Sequence, residues 1–379
     1  MNEETSRYFN THINISTAPT HWKESCTNTE CSLHQLAPYT GKIKSTIAAE
    51  LIERYSEPGD LVVDPFAGCG TIPFEAVIRK RQIFGADISP YACILSKAKF
   101  SPPSSLNLAL ELAEQALEEA SMLPEVDLRE VPLWVRKFFH PKTLKETINF
   151  AKVCRQPGRE FLMACFLGIL HHQRPGFLSY PSSHLVPYLR DRKYPRDKFP
   201  EMYTYRELRP RLLAKIKRSY KRFIMPQLSL VKGFEKSSVQ QLTLPQYIDA
   251  LITSPPYMNA LDYGRDNRLR LWFIDPCLLN TVDNDVTKRK KSFIDAITSL
   301  AVNIEKRLIP KGFCVFIIGE EVKRSVKSHP SEIVFNIMNK YAQSLHPVLF
   351  LVDNIPDIRR SRRQNKCVKT EHILVFQRK

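Results

Sequence analysis

Residues 63 to 71 read Val-Asp-Pro-Phe-Ala-Gly-Cys-Gly-Thr, and no other stretch constrains the fold as tightly. Leu61, Val62 and Val63 lead into it as a short apolar run, the pattern of a parallel strand buried on both faces. Pro65 cannot donate to a ladder and ends the strand. Gly68-Cys69-Gly70 makes a tight turn, and a helix is predicted over 71–79, with Pro73 tolerated in its first turn. A strand, a glycine turn and a helix N-terminus hold a polar small molecule at the carboxyl edge of an α/β sheet. The dinucleotide fingerprint needs a third glycine where this chain has Pro73, and the Gly-Lys-Ser/Thr of a P-loop is missing, so both readings are disfavoured. Asp87 follows a second apolar run (Ile83, Phe84), at the place where an acid caps ribose hydroxyls.

A second stretch carries chemistry. The apolar run over 248–252 passes directly into Thr253-Ser-Pro-Pro-Tyr257. As the end of a strand, it falls on the same sheet edge as Gly68.

The first stretch resembles the cofactor loop of S-adenosylmethionine-dependent methyltransferases, in the form used by DNA amino-methyltransferases. Ser254-Pro255-Pro256-Tyr257 resembles the catalytic motif of the same family, in the form typical of its cytosine-N4 branch; Asp or Asn first is more usual in the adenine-N6 branch. The resemblance implies an α/β, Rossmann-like class I methyltransferase fold: a mostly parallel seven-stranded sheet, a C-terminal β-hairpin and a helical insertion. It implies S-adenosyl-L-methionine as cofactor, held by Asp64, Phe66, Ala67, Gly68, Gly70, Thr71, Asp87 and Ile88. Pro38-Tyr-Thr-Gly-Lys42 is similar to the family segment that closes over the methionine end, which adds Tyr39 and Thr40. Where the family often has an acid for the adenine amino group, this chain reads Phe234-Glu-Lys-Ser-Ser238, and Glu235 is the candidate.

The residues of the catalytic motif suit the reaction so implied. An aryl amine is a poor nucleophile because its lone pair is delocalised into the ring. Acceptors on its N–H groups, from Ser254 Oγ and the Pro255 carbonyl, draw the nitrogen toward tetrahedral geometry. The prolines fix φ near −65°, so the carbonyl is pre-aimed. Tyr257 suits stacking on a base flipped out of a duplex. The methyl then moves in one in-line step with no covalent enzyme intermediate. Pro276-Cys277 is the single Pro-Cys dipeptide, and it lacks the strand-loop context of a carbon-5 nucleophile.

Composition agrees on the partner. The 379 residues carry a net charge of +17, which favours a polyanion, nucleic acid first. Residues 174–222 are dense in Arg and Lys with tyrosines interleaved, a pattern suited to phosphates and exposed bases. Arg190, Arg192, Lys193, Arg206, Arg209, Lys215 and Arg218 are the candidates there, with Arg265, Arg359 and Arg360 nearer the C-terminus. Nine scattered cysteines read as reduced thiols of a cytoplasmic protein. No signal peptide is visible, and the apolar run over 161–170 is too short to span a bilayer core of about 30 Å. His21, Cys26, Cys31 and His34 have spacings zinc could use, but lack a paired Cys-x-x-Cys, and no metal is expected.

Four segments follow: a mobile arm over 1–33, the cofactor half over 34–100, a basic helical insertion over 101–225 for nucleic-acid recognition, and the catalytic half over 226–379. The expected activity is methylation of an exocyclic amino group in double-stranded DNA with the base flipped, cytosine N4 first, in DNA modification with or without a restriction endonuclease as partner. Adenine N6, an amino group in RNA, and a non-catalytic nucleic-acid-binding protein with a degenerate pocket remain as alternatives.

Overall fold

The structure, a computed structural model, describes residues 13–24, 29–171, 177–180, 195–256, 263–277, 290–319, 329–355 and 370–379. Its first half runs β1 (Asn14–Thr17), α1 (Ser45–Tyr55), β2 (Leu61–Asp64), α2 (Thr71–Ile78), β3 (Gln82–Asp87) and α3 (Pro90–Phe100). Helices α4 (Leu106–Met122), α5 (Leu133–Arg136), α6 (Pro141–Cys154), α7 (Glu160–Leu170) and α8 (Leu208–Ser219) follow. Then come β4 (Val231–Lys236), β5 (Ile248–Thr253), α9 (Tyr263–Asp266), α10 (Arg268–Ile274), α11 (Lys290–Arg307), β6 (Leu308–Gly319), α12 (Pro330–Tyr341), β7 (Leu345–Asn354) and β8 (Thr370–Arg378).

The strands form one sheet in the order β1-β7-β8-β6-β5-β2-β3-β4. Only β8 runs against the others, paired antiparallel with both β6 and β7. The fold is therefore the Rossmann-like α/β arrangement read from the sequence, closing hairpin included. The sheet has eight strands where seven are predicted, because Asn14–Thr17 adds a parallel edge strand to β7. This corrects the expectation of a mobile arm over 1–33 for its described part. Trp22, Cys31, Leu33 and His34 are buried as well, so a polar-looking segment is anchored by a few large side chains.

Alternation along the strands places apolar side chains on both faces. Val62, Val315 and Ile317 join the core beneath the helical block, while Val63, Cys314 and Phe316 join the core under α11 and α12. The chain builds β2, β3 and β4 outward in one direction and then returns to place β5 on the other side of β2. That reversal makes the carboxyl ends of β2 and β5 a topological switch point, where open α/β sheets bind ligands.

The helices of the 101–225 segment share the core of the cofactor half. Every residue of α7 from Phe161 to Leu170 is buried, with α7 laid against α3. The sequence predicts Leu108, Leu112, Ala116 and Leu117 as the inward face of α4. The buried stripe is instead Ala109, Ala113, Ala116 and Ala120, with Leu108 and Leu112 more than a third exposed, because the close approach of α6 admits only small side chains. No helix among the described residues is long and apolar enough to cross a membrane.

Gly168 in α7 marks the tightest packing between helical block and N-terminal segment: an added Cβ would lie 2.0 Å from the Leu36 carbonyl oxygen. Gly168→Ala is expected to lower stability by about 1–3 kcal/mol, the usual cost of overpacking, read as a drop in the urea midpoint at unchanged slope.

Candidate active site

At the switch point, Asp64 ends β2 and Thr253 ends β5. Thr253 Oγ1 donates to Asp64 Oδ1 at 2.6 Å, inside the protein. The same Oδ1 accepts from the Phe66 amide at 3.2 Å, which turns the chain out of the strand into the glycine loop. One carboxyl thus ties the two motifs together across the sheet. It is 2% exposed. Burial pushes its pKa up to about 7, against the pull of the two hydrogen bonds, and the neighbouring Asp87 charge adds to the rise.

The loop itself is held from below. Gly68 and Gly70 have φ of +54° and +71°, where side chains are strained. A Cβ on Gly70 would also strike Ser96 Oγ at 2.5 Å. The Gly68 amide donates to Asp87 Oδ2 at 2.8 Å, and the Ser89 amide donates to Asp87 Oδ1 at 2.8 Å. Asp87 therefore braces the glycine loop against the start of α3. From α3, Ser96 Oγ donates to the Gly68 carbonyl at 3.2 Å and Lys99 Nζ donates to the Cys69 carbonyl at 2.5 Å. Lys99 is fully buried, and burial lowers its pKa. These loop-holding residues were missed in the sequence, where α3 reads as an ordinary helix.

The segment before α1 closes the cavity. Tyr39 lies against Gly68 and packs tilted on Tyr91, ring centres 5.8 Å apart. Tyr91, wholly buried, donates its hydroxyl to the Pro38 carbonyl at 2.6 Å and so sets where Tyr39 sits. Further back, His34 Nε2 and Glu75 Oε1 share a buried hydrogen bond at 2.6 Å. Burial lowers the His34 pKa and raises that of Glu75 to about 7. Of the residues whose spacings zinc could use, His34 bonds Glu75 and His21 bonds Glu50, while Cys26 lies outside the described residues.

A cavity of about 410 Å³ results. Tyr39, Asp64, Phe66, Ala67, Gly68, Thr71, Asp87, Ile88, Ser254 and Pro256 all line it. Ile88 is 55% exposed at its rim, an apolar surface available for stacking. Gly70 sits behind the wall, packed on Ser96. Thr40 is not in the lining, which continues through Gly41, Lys42 and Ile43 instead. Glu235 is exposed on β4 and outside the lining; Lys236 at the end of the strand and Ser237, Ser238 and Gln240 just beyond it occupy that wall.

Ser254 donates its hydroxyl hydrogen to the Ile317 carbonyl on β6 at 3.1 Å. Its lone pairs are left to accept. Pro255 is buried behind it. Tyr257 lies outside the described residues. Cys277 is exposed and not part of the lining.

The basic candidates divide. Arg190, Arg192, Lys193, Arg359 and Arg360 lie outside the described residues, as does the side chain of Arg265. Two others, Lys215 and Arg206, are corrections, and Arg209 is an exposed cation. Lys215 is buried and donates to the Gln35 carbonyl at 2.5 Å, and burial lowers its pKa to about 8. Arg206 is partly buried and serves the carbonyls of Phe177 and Ser179. Arg209 pairs with Glu114. Lys215 and Arg206 thus reach inward to backbone carbonyls, while Arg209 stays at the surface in its pair. Arg218 is exposed, but Tyr220 just beyond it donates to the Pro103 carbonyl, past the end of α3 remote from Asp87. That part of α8 lies away from the cavity.

With this geometry in hand, likeness to known proteins is informative. The DNA methylase family (N6_N4_Mtase) matches residues 6–98. Type II methyltransferase M.MvaI of Kocuria varians is 24% identical over 66% of this chain and 59% of its own length. Type II methyltransferase M.MjaII of Methanocaldococcus jannaschii is 31% identical over 18% of this chain and 13% of its own length. Residues 6–98 are thus similar to a DNA methylase family, and both relatives are Type II methyltransferases. The chain spans about three-fifths of the first relative and a smaller part of the second. Among solved structures, TrmN from Thermus thermophilus aligns with 92% of this chain and 52% of its own, at 10% identity and a TM-score of 0.36. S-adenosylmethionine is the cofactor that these likenesses imply, and the cavity fits it: Gly68 puts no side chain into its wall, and Asp87 and Ile88 give that wall one acidic and one apolar surface.

Two outcomes are expected. Tyr91→Phe removes the hydrogen bond to Pro38 and keeps the ring; it is expected to weaken S-adenosylmethionine binding about fivefold by calorimetry, with little change in melting temperature. Asp64→Asn preserves the acceptor and removes the titration. A carboxyl whose folded pKa is raised contributes stability that is full below its unfolded value and lost as pH rises through about 7. The stability of Asp64→Asn relative to wild type is therefore expected to improve by roughly 1.4 kcal/mol per pH unit between pH 4 and 7 and to level off above. A difference that does not vary with pH would contradict the burial of a neutral acid.

Proposed function

We propose that the chain transfers the methyl group of S-adenosylmethionine to an exocyclic amino group of a base in DNA, cytosine N4 in preference to adenine N6. The observation that carries this reading is the Thr253–Asp64 hydrogen bond, which sets Ser254 and Pro256 into the wall of the same cavity as the glycine loop. When bound, the cofactor supplies an electrophilic methyl carbon. The residues of this chain supply orientation and acceptors.

Ser254 has one hydrogen, and Ile317 takes it. The hydroxyl is then an acceptor toward the cavity, which is the role an amino N–H requires. The Pro255 carbonyl is the natural second acceptor, on a backbone held by two prolines. Together they favour a localised lone pair on the amine, with no reorganisation at the moment of reaction. No step calls for an enzyme nucleophile, in keeping with Cys277 lying apart from the cavity. The Ser-Pro-Pro-Tyr form of the motif favours cytosine. Marking of DNA against a cognate endonuclease is the setting that the Type II names of the relatives suggest.

The test is methyl transfer from labelled S-adenosylmethionine to unmodified genomic DNA, followed by nucleoside mass spectrometry. N4-methylcytosine is expected; N6-methyladenine would correct the base, and label in RNA alone would overturn the substrate. Ser254→Ala is expected to lower kcat about 100-fold or more, as for loss of a preorganised transition-state hydrogen bond, while the calorimetric Kd for S-adenosylmethionine stays within about twofold of wild type. Full activity in that variant would remove Ser254 from the mechanism.

A further inference from the structure

Beside the cavity the helical block meets the catalytic half at one exposed stack. Arg268 opens α10, and its guanidinium carbon lies 4.5 Å from the centre of the Trp134 ring on α5. Arg268 is exposed, and among the described residues no carboxylate pairs with it. Its neighbours differ. Arg155 serves the Phe273 carbonyl, Arg159 pairs with Glu119, and Arg270 is buried on the carbonyls of Leu167 and His171. Leu133, next to Trp134, is 60% exposed, and Lys137 one turn further is exposed too.

The position is as telling as the chemistry. Gly264 and Leu271 both line the cavity, and Arg268 stands between them, four residues after one and three before the other. It is therefore within a helical turn of the cavity wall, on the segment that follows the Ser-Pro-Pro turn. An indole behind a guanidinium fixes its plane and leaves its edge N–H groups free. A pre-oriented cation that no described carboxylate pairs, with an apolar neighbour, suits a phosphodiester strand: the phosphate meets the fork and the sugar meets the leucine.

We propose that Trp134, Arg268 and Leu133 form a docking surface for the DNA strand that carries the target base, with Arg268 holding a backbone phosphate. This rests on the DNA-methyltransferase reading above. The surface joins the helical block to the catalytic half beside the segment from Gly264 to Leu271 that contributes to the cavity wall. It thus takes over the role that sequence alone assigns to Arg206 and Lys215.

The test is binding of a labelled, unmodified DNA duplex by fluorescence anisotropy across a salt series, with S-adenosylmethionine affinity measured in parallel. Arg268→Gln is expected to weaken DNA binding about tenfold at low salt and to reduce the slope of log affinity against log salt by about 0.9, one phosphate contact. Trp134→Leu retains the charge and is expected to weaken binding with the slope unchanged. Both variants are expected to bind S-adenosylmethionine as wild type does. Wild-type slope and affinity in Arg268→Gln would overturn the proposal, as would an equal loss of S-adenosylmethionine binding, which marks a structural role. Wild-type protein that neither binds nor methylates DNA would instead overturn the function on which the proposal rests.

Discussion

The site depends on a single buried carboxyl shared between two adjacent strands. Parallel neighbours β2 and β5 bring Asp64 and Thr253 side by side, and the hydrogen bond between them locks the register of two loops that are far apart in sequence. Burying an acid is costly unless its oxygens are satisfied. Here the hydroxyl of Thr253 and the amide of Phe66 both donate to Oδ1, and burial still raises the pKa of the acid to about 7. The geometry that would align cofactor and base is thus set by the sheet, before any ligand binds.

Helix α3 is the second support. It contributes Ser96 and Lys99 to the carbonyls of the glycine loop and Tyr91 to the segment that closes the cavity. Its own start is braced by Asp87, which also holds the Gly68 amide. A polar loop that must expose backbone groups to a ligand is kept rigid by satisfying its other backbone groups from beneath. The buried lysine is tolerated because its ammonium meets a carbonyl, and the same solution recurs with Lys215 at Gln35.

The helical block is part of this scaffold. Its core is continuous with that of the cofactor half, and Gly168 lets α7 approach the N-terminal segment closely. A block packed in this way presents its outer residues at fixed positions relative to the cavity. This gives the stack of Trp134 on Arg268 its meaning as a surface, where a loosely tethered domain would not.

The sequence by itself determined the elements whose signal is local: the strands ending at Asp64 and Thr253, the glycine turn, the Ser-Pro-Pro motif and the closing hairpin. Each is written in contiguous residues whose backbone preferences agree with the fold, and for that reason the cavity-lining residues between Asp64 and Ile88 were legible. Only the tertiary structure decided what depends on partners distant in the chain. It drew Asn14–Thr17 into the sheet, chose the alanine stripe of α4 over its leucines, and placed Ser238 rather than Glu235 in the cavity wall. It also sorted the cations. Lysine and arginine look alike in a basic run whether they face water or reach inward, because their long stems allow either and the deciding carbonyls and carboxylates lie elsewhere in the chain.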